Sequence, residues 1–240
     1  MLTKLAVLIL LCYLSNGEKV KSSSSSSESD ESSKEVPVQK FIWPEACTFD
    51  GIAKVASCKP TKDQGVGTLI TSIASSPRAQ DVRTLIFHCS EPLGHVLATP
   101  ASPIEELTLS NCGISSITIG KSHTGTALKH LDLSKNNLTT VPYFGYLPEL
   151  TELDLADNSI RSIREGSFTF NEKLETIDLS RNNIKRIELN AFERPLKKIT
   201  LDENLKVVCD KDWPLFLRYA TKNNVEWSLP GSNDVQCDSE

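Results

Sequence analysis

The sequence lacks the short motifs on which many hydrolases, metalloproteases and nucleotide-binding enzymes depend. Its 240 residues contain no GxSxG nucleophile elbow, no HExxH zinc helix and no glycine-rich phosphate loop. No CxxC pair occurs, and no cysteine and histidine stand at the spacing of zinc ligands. We therefore predict a protein that is not an enzyme and that uses no cofactor or metal.

Positive charge is also scarce. The chain has 26 lysines and arginines against 31 aspartates and glutamates, a formal net charge of -5, and no stripe of basic residues. Nucleic-acid binding draws much of its affinity from cationic contacts to phosphates. The composition therefore predicts that no nucleic acid is a partner.

Long apolar runs are absent after the first residues. The run from Leu5 to Leu14 follows Lys4 and precedes the small residues Ser15 and Gly17, which is typical of a secretory signal peptide. A membrane anchor is the alternative, but the run is well short of the roughly 20 residues that a spanning helix needs. We predict a signal peptide at 1–17 and a secreted, extracellular protein without a membrane span.

Residues 18–40 are rich in serine and glutamate and poor in apolar side chains. Such a segment cannot bury enough apolar surface to offset its ordering entropy, so we predict a disordered leader. Its Ser-x-Glu triplets resemble the recognition motif of secretory-pathway kinases that act on casein-like proteins. The candidates for phosphorylation are Ser26, Ser29 and Ser33.

Six cysteines remain after Cys12, which falls in the predicted signal peptide. An even number suits a disulfide-bonded secreted protein, although the sequence alone allows fifteen pairings. The six are Cys47, Cys58, Cys89, Cys112, Cys209 and Cys237.

The most regular feature is the pattern L-x-x-L-x-L-x-x-N-x-L. It occurs in six copies, which begin at Val82, Ile104, Leu128, Leu150, Leu174 and Leu196. The starts are separated by 22, 24, 22, 24 and 22 residues, and the copy at Val82 is degenerate. Neither a helical period nor strict alternation explains this spacing. Because each copy can bury its apolar residues only against its neighbours, the pattern predicts a stack of repeats.

The pattern resembles the leucine-rich repeat family, specifically its extracellular members with cysteine-bearing caps. The resemblance implies an α/β fold: a curved right-handed solenoid with short parallel strands on its concave face and irregular segments on its convex face. It divides the chain into an N-terminal cap at 41–81, repeats at 82–207 and a C-terminal cap at 208–240.

The resemblance also assigns framework residues. The ninth place of the pattern holds an amide that satisfies inward-facing backbone groups, at Asn136, Asn158, Asn182 and Asn204. Cys112 and Ser90 take this place in the first two copies. Phe168 and Phe192 match the phenylalanine that covers the core in repeats of 24 residues, and the 22-residue repeats are expected to lack it.

Three disulfides follow from the resemblance. It implies Cys47 with Cys58 across a short hairpin in the first cap, and Cys209 with Cys237 in the second. Cys89 and Cys112 are left for each other, on neighbouring strands about 4.8 Å apart. The second cap is expected to contain a helix that carries Trp213, Leu215, Phe216 and Tyr219, followed by Trp227.

Residues that the fold does not require are the candidates for binding. On the strands these stand at the third, fifth, seventh and eighth places of the pattern. Parallel strands would align the fifth-place aspartates roughly 5 Å apart, where each like-charged neighbour costs on the order of 1 kcal/mol. A partner with a basic patch would relieve that repulsion. The candidates are Glu106, Thr108, His130, Asp132, Lys135, Glu152, Asp154, Asp157, Asp178 and Arg181.

Two other interpretations of these residues stay open. An aspartate between the two strand leucines is a habit of the family and needs no ligand. His130, between Glu106 and Glu152, is a conceivable metal ligand together with Asp132 and Asp154. Carboxylates beside a histidine are ordinary on charged strands, so no metal is predicted.

The predicted function is binding of another macromolecule, in the first place an extracellular protein, through the concave face, in a recognition, immune or adhesion role. The alternative is a phosphorylated structural protein of the extracellular matrix or of mineral. One N-glycosylation sequon begins at Asn137, whose side chain is expected to point outward. The sequence does not indicate the oligomeric state.

Overall fold

The structure is a computed structural model that describes residues 43–61, 65–101, 103–121, 126–188, 190–192, 194, 196–204 and 213–228. The predicted signal peptide, the leader with Ser26, Ser29 and Ser33, and the cysteines Cys209 and Cys237 lie outside the described residues. Within that part of the chain, no helix is both long enough and apolar enough to cross a membrane.

Thirteen short strands and two α-helices are described. The strands are β1 (Cys47–Asp50), β2 (Val55–Cys58), β3 (Thr84–Phe87), β4 (Gly94–Ala98), β5 (Glu106–Thr108), β6 (Ile114–Ile119), β7 (His130–Asp132), β8 (Glu152–Asp154), β9 (Ser162–Ile163), β10 (Thr176–Asp178), β11 (Arg186–Ile187), β12 (Lys198–Thr200) and β13 (Glu226–Ser228). The helices are α1 (Val66–Ala74) and α2 (Trp213–Lys222).

Nine of these strands form one long sheet in the order β1-β2-β3-β5-β7-β8-β10-β12-β13. β1 is antiparallel to β2, and the other neighbours are parallel. Each of the six copies of the pattern supplies one strand, β3, β5, β7, β8, β10 and β12. The predicted leucine-rich repeat solenoid is confirmed.

The apolar residues of each copy form the core between neighbouring copies. In the copy that begins at Leu128, four leucines are at most 1% exposed: Leu128, Leu131, Leu133 and Leu138. Leu131 is paired in register with Leu107 on one side and Leu153 on the other. Burying such a side chain contributes roughly 1.5 to 3 kcal/mol, so the stack itself supplies the stability.

The ninth-place asparagines satisfy backbone groups, as predicted. The side-chain amide of Asn136 donates to the carbonyls of Leu109 at 2.8 Å and Leu133 at 2.9 Å. Its Oδ1 accepts from the backbone N–H groups of Cys112 and Ile114. Asn158, Asn182 and Asn204 repeat the arrangement in the following copies. Each asparagine therefore fastens its own turn to the preceding repeat.

The expectation that the 22-residue repeats lack a core phenylalanine is wrong for the copy at Leu128. Phe144 in that copy is fully buried, as Phe168 and Phe192 nearly are in later copies. Phe144 stands two positions earlier in its copy than Phe168 and Phe192 do in theirs. The 22-residue repeat is therefore shorter before the phenylalanine and still keeps it. The buried amide of Asn171 donates to the Phe144 carbonyl at 2.8 Å and fixes this segment to the next repeat.

Irregular connecting segments were expected on the convex side. This expectation is wrong for the first two copies of the pattern, whose connecting segments contain strands. β4 and β6 form a parallel pair, as β9 and β11 do further along. Val96, Ile117 and Ile119 bury alternate positions of β4 and β6, a period that favours strands. Helix α1, which the sequence reading also missed, packs so closely on β4 that a Cβ at Gly67 would lie 2.6 Å from the Leu97 carbonyl oxygen.

Two of the three predicted disulfides lie in the described residues, and both are confirmed. Cys47 and Cys58 stand opposite each other on β1 and β2, with their Cα atoms 4.0 Å apart. Cys89 and Cys112 follow β3 and β5, with Cα atoms 5.1 Å apart. The first bond closes the hairpin at one end of the sheet, and the second joins the first two copies of the pattern.

Helix α2 covers the core near the other end, as predicted. Trp213 and Phe216 are buried, and the Phe192 ring stacks on Phe168 with ring centroids 5.6 Å apart. Phe216 and Tyr219 of the helix continue this row, with centroids 6.2 and 5.9 Å from that of Phe192. The helix therefore replaces the next repeat that the aromatic rings would otherwise pack against.

Candidate functional site

The outward side chains of the long sheet form two parallel rows. Strands β5, β7, β8, β10 and β12 each cover places three to five of the pattern, with an inward residue between two outward ones. The register aligns one row as Thr84, Glu106, His130, Glu152, Thr176, Lys198 and Glu226. The other row is Ile86, Thr108, Asp132, Asp154, Asp178, Thr200 and Ser228. We call them the third-place row and the fifth-place row.

The aspartates of the fifth-place row hold the turn that follows each strand. In Asp132, Asp154 and Asp178, Oδ1 accepts the backbone N–H of the residue two positions later, at 2.8 Å each. These donors belong to Ser134, Ala156 and Ser180, where the chain leaves the strand. The aspartates therefore have a structural role, as the family habit implies, and their carboxylates also face the open side of the sheet.

Asp154 lies between the other two aspartates, Asp132 and Asp178, which stand on the flanking strands. Burial raises the pKa of its carboxyl group, and the charges of Asp132 and Asp178 on the flanking strands raise it further. The hydrogen bond from the Ala156 backbone N–H acts in the opposite direction. The repulsion predicted from the strand register is therefore present at this carboxylate.

Residues of the third-place row contact each other across neighbouring strands. Glu106 Oε2 accepts from the Thr84 hydroxyl at 2.9 Å, and His130 Nδ1 lies 2.9 Å from Glu152 Oε2. Further along, Lys198 Nζ lies 3.8 Å from Glu226 Oε1. All these groups are substantially exposed, so their contacts are open to exchange with water or a partner.

The eighth-place candidates are turn residues, which corrects their assignment to the strands. Lys135, Asp157 and Arg181 have φ angles of 56°, 55° and 51°. The backbone turns at each of these three positions so that the asparagine that follows enters the core. Arg181 donates to both Asp157 oxygens, at 2.7 and 2.8 Å. This hydrogen-bonded ion pair lowers the pKa of the Asp157 carboxyl group and raises that of the Arg181 guanidinium.

Seven of the ten candidates line one shallow depression of about 290 Å³ on the sheet. They are Glu106, Thr108, His130, Asp132, Glu152, Asp154 and Asp178. Lys135, Asp157 and Arg181 do not line it. Thr176 does, and the sequence reading missed it because only charged residues were followed along the third place. Its position in the pattern was the signal that could have identified it.

The lining of this depression is strongly one-sided in charge. It contains five carboxylates, one histidine and no lysine or arginine. No group of three or more His, Cys, Asp or Glu side chains in the described residues is arranged to hold a metal ion. Asn137, the predicted glycosylation site, is exposed beside the buried Asn136 and lies outside this depression.

Comparison with known proteins places the repeats in context. A family model described as leucine rich repeat matches residues 102–158 and 148–205. The acidic leucine-rich nuclear phosphoprotein 32 family member A of Drosophila pseudoobscura pseudoobscura is 44% identical over 63 residues, which are 26% of this chain. The chain spans only about a quarter, 24%, of that relative's length. The crystal structure of human 5T4 (Wnt-activated inhibitory factor 1, trophoblast glycoprotein) superposes with a TM-score of 0.41 at 17% identity, covering 82% of this chain and 92% of that one.

Proposed function

We propose that this chain, whose residues 102–158 and 148–205 match a leucine-rich repeat model, is a non-catalytic recognition protein that binds an extracellular protein through the acidic depression on its long sheet. The partner presents a basic patch. A recognition, immune or adhesion role fits such binding equally well, and the proposal concerns the binding step that these roles share.

One observation carries the proposal: five carboxylates and no lysine or arginine line a single depression. The fold fixes their spacing, because Asp132, Asp154 and Asp178 are bonded to their own backbone before any partner arrives. A preorganised set of like charges loses little side-chain entropy on binding. Burial raises the pKa of Asp154, and the charges of Asp132 and Asp178 raise it further. The repulsion among these carboxylates falls when a cation approaches.

Secretion is part of the proposal. Two disulfides are present in the described residues, and stable disulfides form in oxidising compartments. A signal peptide at 1–17 and a glycan at Asn137, both predicted from the sequence, are consistent with secretion. The predicted Cys209–Cys237 bond belongs to the same proposal.

Affinity capture from the native extracellular fluid tests the proposal. The bait is the full secreted chain, compared with the double variant Asp154→Asn and Asp178→Asn. Asparagine keeps the Oδ1 acceptor for the turn and removes the charge. We expect the wild type to retain a partner with a basic surface, and the double variant to retain much less of it.

A matched control removes two negative charges elsewhere. Glu165→Gln with Glu188→Gln alters connecting segments, where the Glu188 carboxylate accepts the Glu165 backbone N–H. We expect this variant to capture the partner as the wild type does. Loss of capture in the control with normal capture by the double aspartate variant would place the ligand on the connecting segments instead.

A further inference from the structure

His130 occupies the centre of the acidic depression. It lies in the third-place row between Glu106 of β5 and Glu152 of β8. It is the only lining residue of a type that changes charge between pH 5 and 8 without unusual surroundings. The other titratable groups that line the depression are carboxylates.

The charged groups around His130 are almost all negative on the open side of the sheet. From β8, Glu152 Oε2 contacts its Nδ1 at 2.9 Å, and Asp154 stands two residues further along the strand. From β5, Glu106 is its register partner, and Asp132 follows it on its own strand. The nearest cation in sequence, Lys129, is paired with Glu105 at 2.7 Å. An imidazolium ion at this position therefore has a carboxylate partner already in place.

We propose that His130 makes the binding of a basic partner dependent on pH, with strong binding near neutral pH and weaker binding at mildly acidic pH. This inference rests on the function proposed above. Neutral His130 holds Glu152 only by an uncharged hydrogen bond, which a cation of the partner can displace. Protonated His130 holds Glu152 in an ion pair and adds a positive charge at the point where the partner's own positive charge must lie.

Two effects act in the same direction as the pH falls. The imidazolium ion offsets one of the five carboxylates of the lining, which slows the electrostatically steered encounter. It also competes directly with a lysine or arginine of the partner for Glu152.

The test uses the full secreted chain and a fluorescent synthetic peptide of alternating lysine and glycine as a basic probe. Its Kd is measured by fluorescence anisotropy from pH 7.5 to 5.5, at constant ionic strength and with a chelator present. For the wild type we expect Kd to rise by about three- to tenfold over this range. For His130→Gln, the ratio of Kd at pH 5.5 to Kd at pH 7.5 should fall towards one, whatever its Kd at pH 7.5.

The matched control is His95→Gln on β4, where His95 Nδ1 lies 2.8 Å from the Ser116 hydroxyl. This exposed histidine is not part of the depression, so its variant should keep the wild-type pH profile. Asp154→Asn is expected to bind more weakly at both pH values, but its ratio of Kd at pH 5.5 to Kd at pH 7.5 should stay close to that of the wild type. Thermal melts at both pH limits check that each variant remains folded.

The outcomes separate this inference from the function beneath it. If the probe binds at pH 7.5 and needs Asp154 and Asp178, but the wild type and His130→Gln share one pH profile, the switch is overturned and the acidic binding face stands. If the probe does not bind the wild type at pH 7.5, both the switch and the proposed function fail.

Discussion

The third-place and fifth-place rows share one sheet surface, yet their acidic residues are held in different ways. Each fifth-place aspartate is bonded to its own backbone two residues later. The side chains of the third-place row contact one another instead, as Glu106 contacts Thr84 and Glu152 contacts His130. One row is therefore part of the framework, and the other is exposed and adjustable.

Under the proposed function, this difference gives the two rows separate contributions to binding. The fifth-place row supplies fixed negative charge whose position does not depend on a partner. The third-place row supplies side chains that can exchange their present contacts for those of a ligand, and His130 belongs to this row. An acidic strand surface can thus be structural and binding at once, because a carboxylate has two oxygens and the fold uses one.

The largest effect should come from the asparagines that fasten the turns beneath both rows. Asn158→Ala or Asn182→Ala should lower the free energy of unfolding by about 1 to 3 kcal/mol, because buried backbone carbonyls and N–H groups lose their partners. Urea denaturation measures the change. Asn183→Ala is the control: the residue is exposed, and its variant should stay within about 0.5 kcal/mol of the wild type. Equal costs at Asn182 and Asn183 would contradict the assignment.

A smaller effect should distinguish the two rows directly. Asp178→Ala removes the acceptor of the Ser180 backbone N–H and should cost about 0.5 to 1.5 kcal/mol. Asp178→Asn keeps an oxygen in that place and should cost much less. Chemical denaturation of the two variants gives the comparison, and equal losses would show that charge, not the hydrogen bond, matters at this position.

The sequence predicted the rows because stacking follows from the repeat period alone. The starts of the copies put Asp132, Asp154 and Asp178 in register, and the structure confirms this register. The same spacing identified the buried asparagines, whereas the disulfides were predicted from the resemblance to the family and from the cysteines that it left over. The strand register and the buried asparagines depend on position within a repeat, which the sequence shows directly.

What the sequence did not predict depends on contacts between side chains and on departures from the repeat. The pairing of His130 with Glu152, or of Arg181 with Asp157, requires side-chain geometry that spacing does not fix. Phe144 was missed because its copy is two residues shorter before the ring. Helix α1 and the β4–β6 pair lie in stretches where the repeat pattern is degenerate or absent, so the family expectation of irregular segments was the wrong guide there.

A third change removes the charge of Asp154, the middle aspartate of the fifth-place row. Burial, and after it the charges of Asp132 and Asp178, raise the pKa of the Asp154 carboxyl in the native state. The protein therefore loses stability as the pH rises through that pKa and the carboxyl becomes charged. Asp154→Asn should therefore stabilise the fold at pH 7 by up to about 1 kcal/mol. The gain should be smaller at about pH 3, below the ordinary pKa of an aspartate, because the wild-type carboxyl then carries its proton. Thermal melts at both pH values measure it. A gain that is the same at both would contradict the electrostatic cause.

The smallest effects on stability should come from the third-place row. Glu106→Ala and Glu152→Ala each remove an exposed carboxylate and should change the free energy of unfolding by less than about 0.5 kcal/mol. Denaturation curves should therefore overlap with that of the wild type. A cost as large as that of Asp178→Ala would erase the distinction between the two rows.

The most direct test of the central claim is the salt dependence of association between this chain and a lysine-rich peptide, measured by stopped-flow fluorescence at pH 7.5. Exposed charges act mainly by steering the encounter, and salt screens them. The wild type should associate fast at low salt and slow steeply as salt rises. Asp154→Asn with Asp178→Asn should associate about three- to tenfold more slowly at low salt and show a shallower slope. Identical rates and slopes for the two proteins would contradict a binding role for the acidic depression.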